Sequence, residues 1–122
     1  MRSSNLLFAG AMAEALLESA SEPVNVQLAR AALQSATPAF SESDRLAICV
    51  VRSVPDDVAR LLATDVASAE ETEAAGSLDL VMTHCAQGSS RIQSTPAGLR
   101  AMLSTAALRQ IRAVAPQEEA RN

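Results

Sequence analysis

The sequence predicts an all-α fold: a compact bundle of about six short helices, with stacked helical hairpins as a variant of it. Three observations carry this. The 122 residues include 25 Ala and 14 Leu but only 4 Gly, and Ala and Leu lead the helix-propensity ranking. Apolar residues recur at three- and four-residue spacing along most of the chain. The one run rich in β-branched residues, 46–51, has no second strand candidate to pair with, and an unpaired strand leaves its backbone polar groups unsatisfied.

The elements follow in order. Residues 5–20 form a first helix, with Leu6, Leu7, Phe8, Met12, Ala13, Leu16 and Leu17 at helical spacing. Pro23 interrupts. Val24, Leu28, Ala31, Ala32 and Leu33 then mark a second helix over 24–36, which Thr37-Pro38 ends because the residue before a proline is driven out of helical conformation. Ser41 and Asp44 open a third helix: the hydroxyl can accept a first-turn N–H, and the acid suits the positive end of the helix dipole. Ser53, Pro55 and Asp56 repeat that start signal for a fourth helix over 55–75, with Val58, Leu61, Leu62, Val66 and Ala69 as its stripe. Gly76 suits its C-terminal stop. Ser77 can cap a fifth helix that ends near Gly88. Residues 87–95 read as a loop, and Thr95-Pro96 opens a sixth helix, 96–115. Pro116 is expected to stop it, so residues 1–115 form one domain and 116–122 a frayed tail. Two segments, 31–46 and 50–66, share a rhythm of apolar helix, proline and acidic start, which is the argument for stacked hairpins.

Composition limits the chemistry. The ten basic residues are all Arg. Without Lys there is no Schiff base and no phosphate-loop lysine. Without Trp or Tyr there is no aromatic cage or ordinary base-stacking platform. A single histidine, His84, cannot build a multi-histidine metal site, and adding Cys49 and Cys85 still leaves a tetrahedral site short of a ligand. His84 and Cys85 are adjacent and diverge by 100° on a helix, which disfavours a catalytic thiol pair. The acids Asp56, Asp57, Glu70, Glu71 and Glu73 read as helix-start and solvated residues. No catalytic residue, metal or cofactor is assigned. The lack of Lys fits an Arg-favouring, GC-rich bacterial genome, or selection against lysine modification in a protein that works inside another cell.

Charge is unevenly spread within a net −4. Residues 53–79 hold seven acids and Arg60 alone among bases, whereas 80–117 hold Arg91, Arg100, Arg109 and Arg112 and no acid. Either the acidic and basic helices meet within the molecule, or the Arg edge meets a partner. The partner reading assigns Arg100, Arg109 and Arg112 as a charged surface, and Leu7, Phe8 and Met12 as an apolar one on a first helix whose apolar residues occupy more than one side. The competing reading makes that helix the centre of the bundle. Ser89, Ser90 and Arg91 have the ingredients of an anion site.

The expected function is a non-catalytic protein–protein interaction module: an adaptor, escort chaperone, assembly factor or regulator. It binds another protein or a second copy of itself. One alternative is a secreted or translocated factor. Another is a helix-turn-helix-like DNA-binding regulator reading with 96–112, against which stand the acidity and the missing aromatics. The run from Leu6 to Ala13, with Ala11-Met12-Ala13 resembling a cleavage site, is short for a secretory signal. No run approaches the length of a membrane span. The expected location is the cytoplasm, with Cys49 and Cys85 as buried free thiols.

Overall fold

The computed structural model describes the backbone of residues 2–86 and 95–121, and the side chains of 6–86 and 95–113. Among the described residues there are seven helices and no strand. They are α1 (Arg2–Glu18), α2 (Val24–Ala31), α3 (Glu42–Ser53), α4 (Pro55–Ala63), α5 (Ala69–Gly76), α6 (Asp79–Ala86) and α7 (Pro96–Arg121).

The start signals act as their chemistry requires. The Ser41 hydroxyl accepts from Asp44 N–H at 3.1 Å, Pro55 occupies the first turn of α4, and Thr95 Oγ1 accepts from Gly98 N–H at 3.0 Å. Ser53 does not cap α4. It remains the last residue of α3, and Val54 alone separates the two helices.

The expected helix over 55–75 is two helices. The chain breaks after Ala63, and Ala67 adopts a left-handed φ of 64°. That conformation costs an L-residue about 1–2 kcal/mol. Local bonds offset it: Ala67 N–H donates to Glu71 Oε1 at 3.2 Å, and the Ser68 hydroxyl caps α5 by accepting from Glu71 N–H at 3.1 Å. The second helix is also shorter than its apolar pattern implied, ending at Ala31. The last helix is longer. It continues through Pro116, where a stop was expected, to Arg121.

The bundle forms around α7, which packs on α1, α2, α3, α4 and α5. A stack of hairpins would have each pair meet only its neighbours; here one helix threads the assembly. Leu28, Val50, Val51, Val58, Leu61, Leu78 and Leu103 are sealed in the core. The sixth helix packs on α3, and a Cys49–Cys85 disulfide joins them. This corrects the expectation of free thiols. The two residues stand on separate helices 36 positions apart, and no helical periodicity reports on that distance.

The centre of the bundle is therefore α7, and α1 is a peripheral helix lying along it. Gly10 permits their close approach. A Cβ there would meet both Cα and Cβ of Ala101 at 2.6 Å, a separation that would force the helices apart. Ser104 Oγ donates to Gly10 carbonyl at 3.2 Å across the same seam.

Candidate functional site: the outer face of α1

Along α1 the burial pattern divides by angle. Gly10, Ala13 and Leu17 are buried against the bundle. Leu7, Phe8, Ala9, Ala11, Met12, Ala15 and Leu16 are exposed. At 100° per residue these seven fill a continuous arc of about 200°. Between Leu7 and Leu16, every exposed residue of α1 is apolar. Phe8 is 69% exposed and Met12 53%. Monomeric proteins rarely expose contiguous apolar surface of this kind outside interaction sites. The three apolar residues singled out from the sequence, Leu7, Phe8 and Met12, all lie on this face.

The face is bordered by a cavity of about 220 Å³ between α1 and the turn connecting α4 to α5. Leu7, Ala11 and Val66 form its rim, and Val66 is 69% exposed. The lining also includes Arg100, Glu14 and Glu71. Arg100 is not a surface residue: it is 6% exposed and all five of its N–H donors are used. Nε and Nη2 hold the two oxygens of Glu14 on α1 at 2.9 and 2.8 Å. Nη1 donates to Glu71 Oε2 on α5 at 3.1 Å and to Thr64 Oγ1 at 3.2 Å. Nη2 also donates to Leu62 carbonyl at 2.9 Å. One guanidinium thus ties α1, α4 and α5 to α7. Its hydrogen bonds to Glu14, aided by Glu71, raise its already high pKa against the opposing effect of burial. Of the seven acids in 53–79, Glu71 meets an arginine of 80–117 at this residue.

Arg109 has a second structural role. Nη1 pairs with Asp44 Oδ2 at 2.6 Å, Nη2 donates to Pro38 carbonyl at 2.7 Å, and the guanidinium lies 4.9 Å from the centre of the Phe40 ring. Burial pushes the Asp44 carboxyl up. The hydrogen bonds from Arg109 and from Phe40 N–H, together with the Arg109 charge, outweigh it and hold the pKa below its ordinary value of 3.8. A depressed folded-state pKa contributes stability above the unfolded value, which is lost as pH falls through the folded one. We therefore expect Asp44→Asn to remove part of the acid limb. The wild-type advantage over Asp44→Asn, measured by chemical denaturation, should be fully present above the ordinary value of 3.8 and shrink as the pH falls below it. A constant gap across that range would contradict the pairing.

Arg112 is exposed. The three arginines read as one surface thus separate into a buried staple, a half-buried pair and an exposed residue. For a DNA-reading helix over 96–112, Arg100 and Ser104 face inward, leaving Arg109 and Arg112. Ser89, Ser90 and Arg91 lie outside the described residues. His84 is exposed, and its neighbour Cys85 is consumed by the disulfide.

Sequence reasoning missed two buried polar side chains of α7 besides Ser104. Gln110, fully buried, accepts from Thr37 N–H at 3.1 Å and donates to the carbonyls of Ala31 and Ser35 at 3.3 and 3.1 Å. Arg100 is the other. The signal was present: Arg100 lies 60° and Gln110 20° from Leu103 around the helix, inside the buried stripe.

In comparison with known proteins, the chain matches no family model, and neither a curated protein nor a solved structure shows significant similarity to it.

Proposed function

We propose that the protein is a non-catalytic interaction module whose binding surface is the outer face of α1, and that this face receives an amphipathic helix of a partner protein. The observation that carries the reading is the uninterrupted apolar arc from Leu7 to Leu16 on a helix fixed in place by Gly10 and Arg100. A docked helix reads such a face through anchors about one turn apart, which the Phe8, Met12 and Leu16 ladder supplies. The neighbouring cavity, rimmed by Leu7, Ala11 and Val66, suits one apolar anchor side chain.

Size and charge favour a helix over a second copy. The ten residues from Leu7 to Leu16, at 1.5 Å rise, give a face about 15 Å long, matched to about three turns of one helix. A stable dimer commonly buries about 800 Å² on each partner. Two exposed acids flank the face, Glu18 on α1 and Asp65 beside Val66. They would complement basic residues flanking the partner's apolar stripe, and would repel the acids of an identical chain.

The test uses two synthetic amphipathic peptides with the same Leu-rich face, one flanked by Arg and the other by Glu. Fluorescence anisotropy should show saturable binding of the Arg-flanked peptide and about tenfold or weaker binding of its twin, a difference of ~1.4 kcal/mol. Equal affinity for both would remove the charge argument. Sedimentation showing a dimer that Phe8→Asp dissolves would make a second copy the occupant and overturn the choice made here.

The disulfide supports one statement about place. Disulfides persist in oxidising compartments and are rare in the cytosol, so the Cys49–Cys85 bond favours the secreted alternative over the cytoplasm. Residues 6–13 are part of α1, with Ala13 3% exposed against the bundle. The helix that carries the proposed surface therefore depends on them.

A further inference from the structure

The connection from α2 to α3, residues 32–41, contains no helix and crosses the outside of α3. Side chains from the helices beneath hold it down. Arg52 Nη2 donates to Gln34 carbonyl at 2.6 Å and Ala32 carbonyl at 3.4 Å, while Gln110 and Arg109 hold Ser35, Thr37 and Pro38. Between this strap and α3 lies a cavity of about 370 Å³.

Its lining is chemically divided. Ala32, Ala36, Ala39 and Ile48 give it apolar walls, and Thr37, Arg45, Arg52 and Ser53 give it polar ones. Arg45 and Arg52 are seven residues apart on α3, which places them about 20° apart on one side of the helix. Among the described residues, Arg45 and Arg52 form no ion pair. Arg52 donates to backbone carbonyls, and Arg45 Nη1 reaches only Cys85 carbonyl, at 3.5 Å. No carboxylate lines the cavity.

A second observation coincides with the first. Two buried side-chain polar atoms among the described residues lack a hydrogen-bond partner: Thr37 Oγ1 and Arg52 Nε. Both belong to residues lining this cavity. An unsatisfied buried polar group costs roughly 1–3 kcal/mol, and a folded chain keeps few of them. Two such atoms on residues that line one cavity, beside two guanidinium groups without an ion pair, make this the part of the described structure richest in donors short of an acceptor.

We propose that this cavity binds a small organic anion. Its oxyanion head, carboxylate or phosphate, pairs with the guanidinium groups of Arg45 and Arg52, and its apolar body lies against Ile48 and the strap alanines. The site is separate from the α1 face, so neither stands on the other.

The experiment titrates the oxidised full-length protein with hexanoate, hexyl phosphate and hexanol, following amide and Arg Nε–H resonances by NMR. Saturable shifts at Arg52 Nε–H and at residues 36–39 are expected with one or both anions, with hexanol at least about tenfold weaker, a gap of ~1.4 kcal/mol. Hexanoate alone would mark a carboxylate ligand, and hexyl phosphate alone a phosphate ligand. Arg45→Gln, at an exposed position, should weaken binding severalfold without altering the thermal melt. Hexanol binding as well as the anions would overturn the proposal. So would the absence of saturation with either anion, or unchanged affinity in Arg45→Gln.

Discussion

Replacing Arg100 with Leu should destabilise the fold by about 3–5 kcal/mol, the range seen when one partner of a buried ion pair is removed. The reason lies in what remains. Glu14 and Glu71, with side chains 16% and 3% exposed, would face each other without the cation, and Leu62 carbonyl would lose its donor. Denaturant unfolding measures the loss directly. In a domain of this size it corresponds to a fall in melting temperature of roughly 10–20 °C. The damage should concentrate where Arg100 reaches: the amides of α1 and of the turn 64–68 should lose hydrogen-exchange protection before those of α3. A loss below about 1 kcal/mol, typical of surface pairs, would mean that Arg100 does not hold α1 in place. Neutralising the acids in the same background, with Glu14→Gln and Glu71→Gln, should recover part of the stability, because the cost is mainly uncompensated buried charge.

Reducing the Cys49–Cys85 disulfide should have an effect of similar size. The crosslink closes a loop with a separation of 36 residues, for which chain entropy gives about 4 kcal/mol. Its loss should be felt first in α6, which packs on α3 beside the bond. Unfolding with and without dithiothreitol measures the difference. Cys49→Ala/Cys85→Ala should behave like the reduced protein in either condition. Two titratable thiols in the native, unreduced protein would contradict the bond and remove the case for an oxidising compartment.

The helical class and most helix starts were legible because they are local. Ser41, Pro55 and Thr95 act through bonds within one turn. The break at 64–68 carried a local signal, the Ser68 cap with Glu71 three residues on, which the apolar stripe through Val66 and Ala69 masked; the bond from Arg100 to Thr64, 36 residues away, was not legible. The strap 32–41 was hidden for the same reason: Gln110 reaches Thr37 across 73 residues. The charge division in the sequence raised an internal pairing of acidic and basic helices, and Arg100 with Glu71 is one such pair. It could not say that Arg100 would be spent on that pairing while Arg112 remained on the surface. The exposure of Leu7, Phe8 and Met12 was legible because a helix apolar on two sides can bury only one of them against a single neighbour. Which side would be left open depended on Gly10, whose role appears only when Ala101 is beside it.

The outer face of α1 is the proposed binding surface. The double variant Phe8→Asp/Met12→Asp tests it most directly, since both side chains are exposed and the fold does not need them. Burying either on binding is worth up to about 1.5–3 kcal/mol, so an Arg-flanked amphipathic peptide should lose at least about a hundredfold in affinity, or ~2.7 kcal/mol. The thermal melt and the Cys49–Cys85 bond should be unchanged. Binding of the same peptide by the variant at wild-type affinity, with the fold intact, would contradict the account.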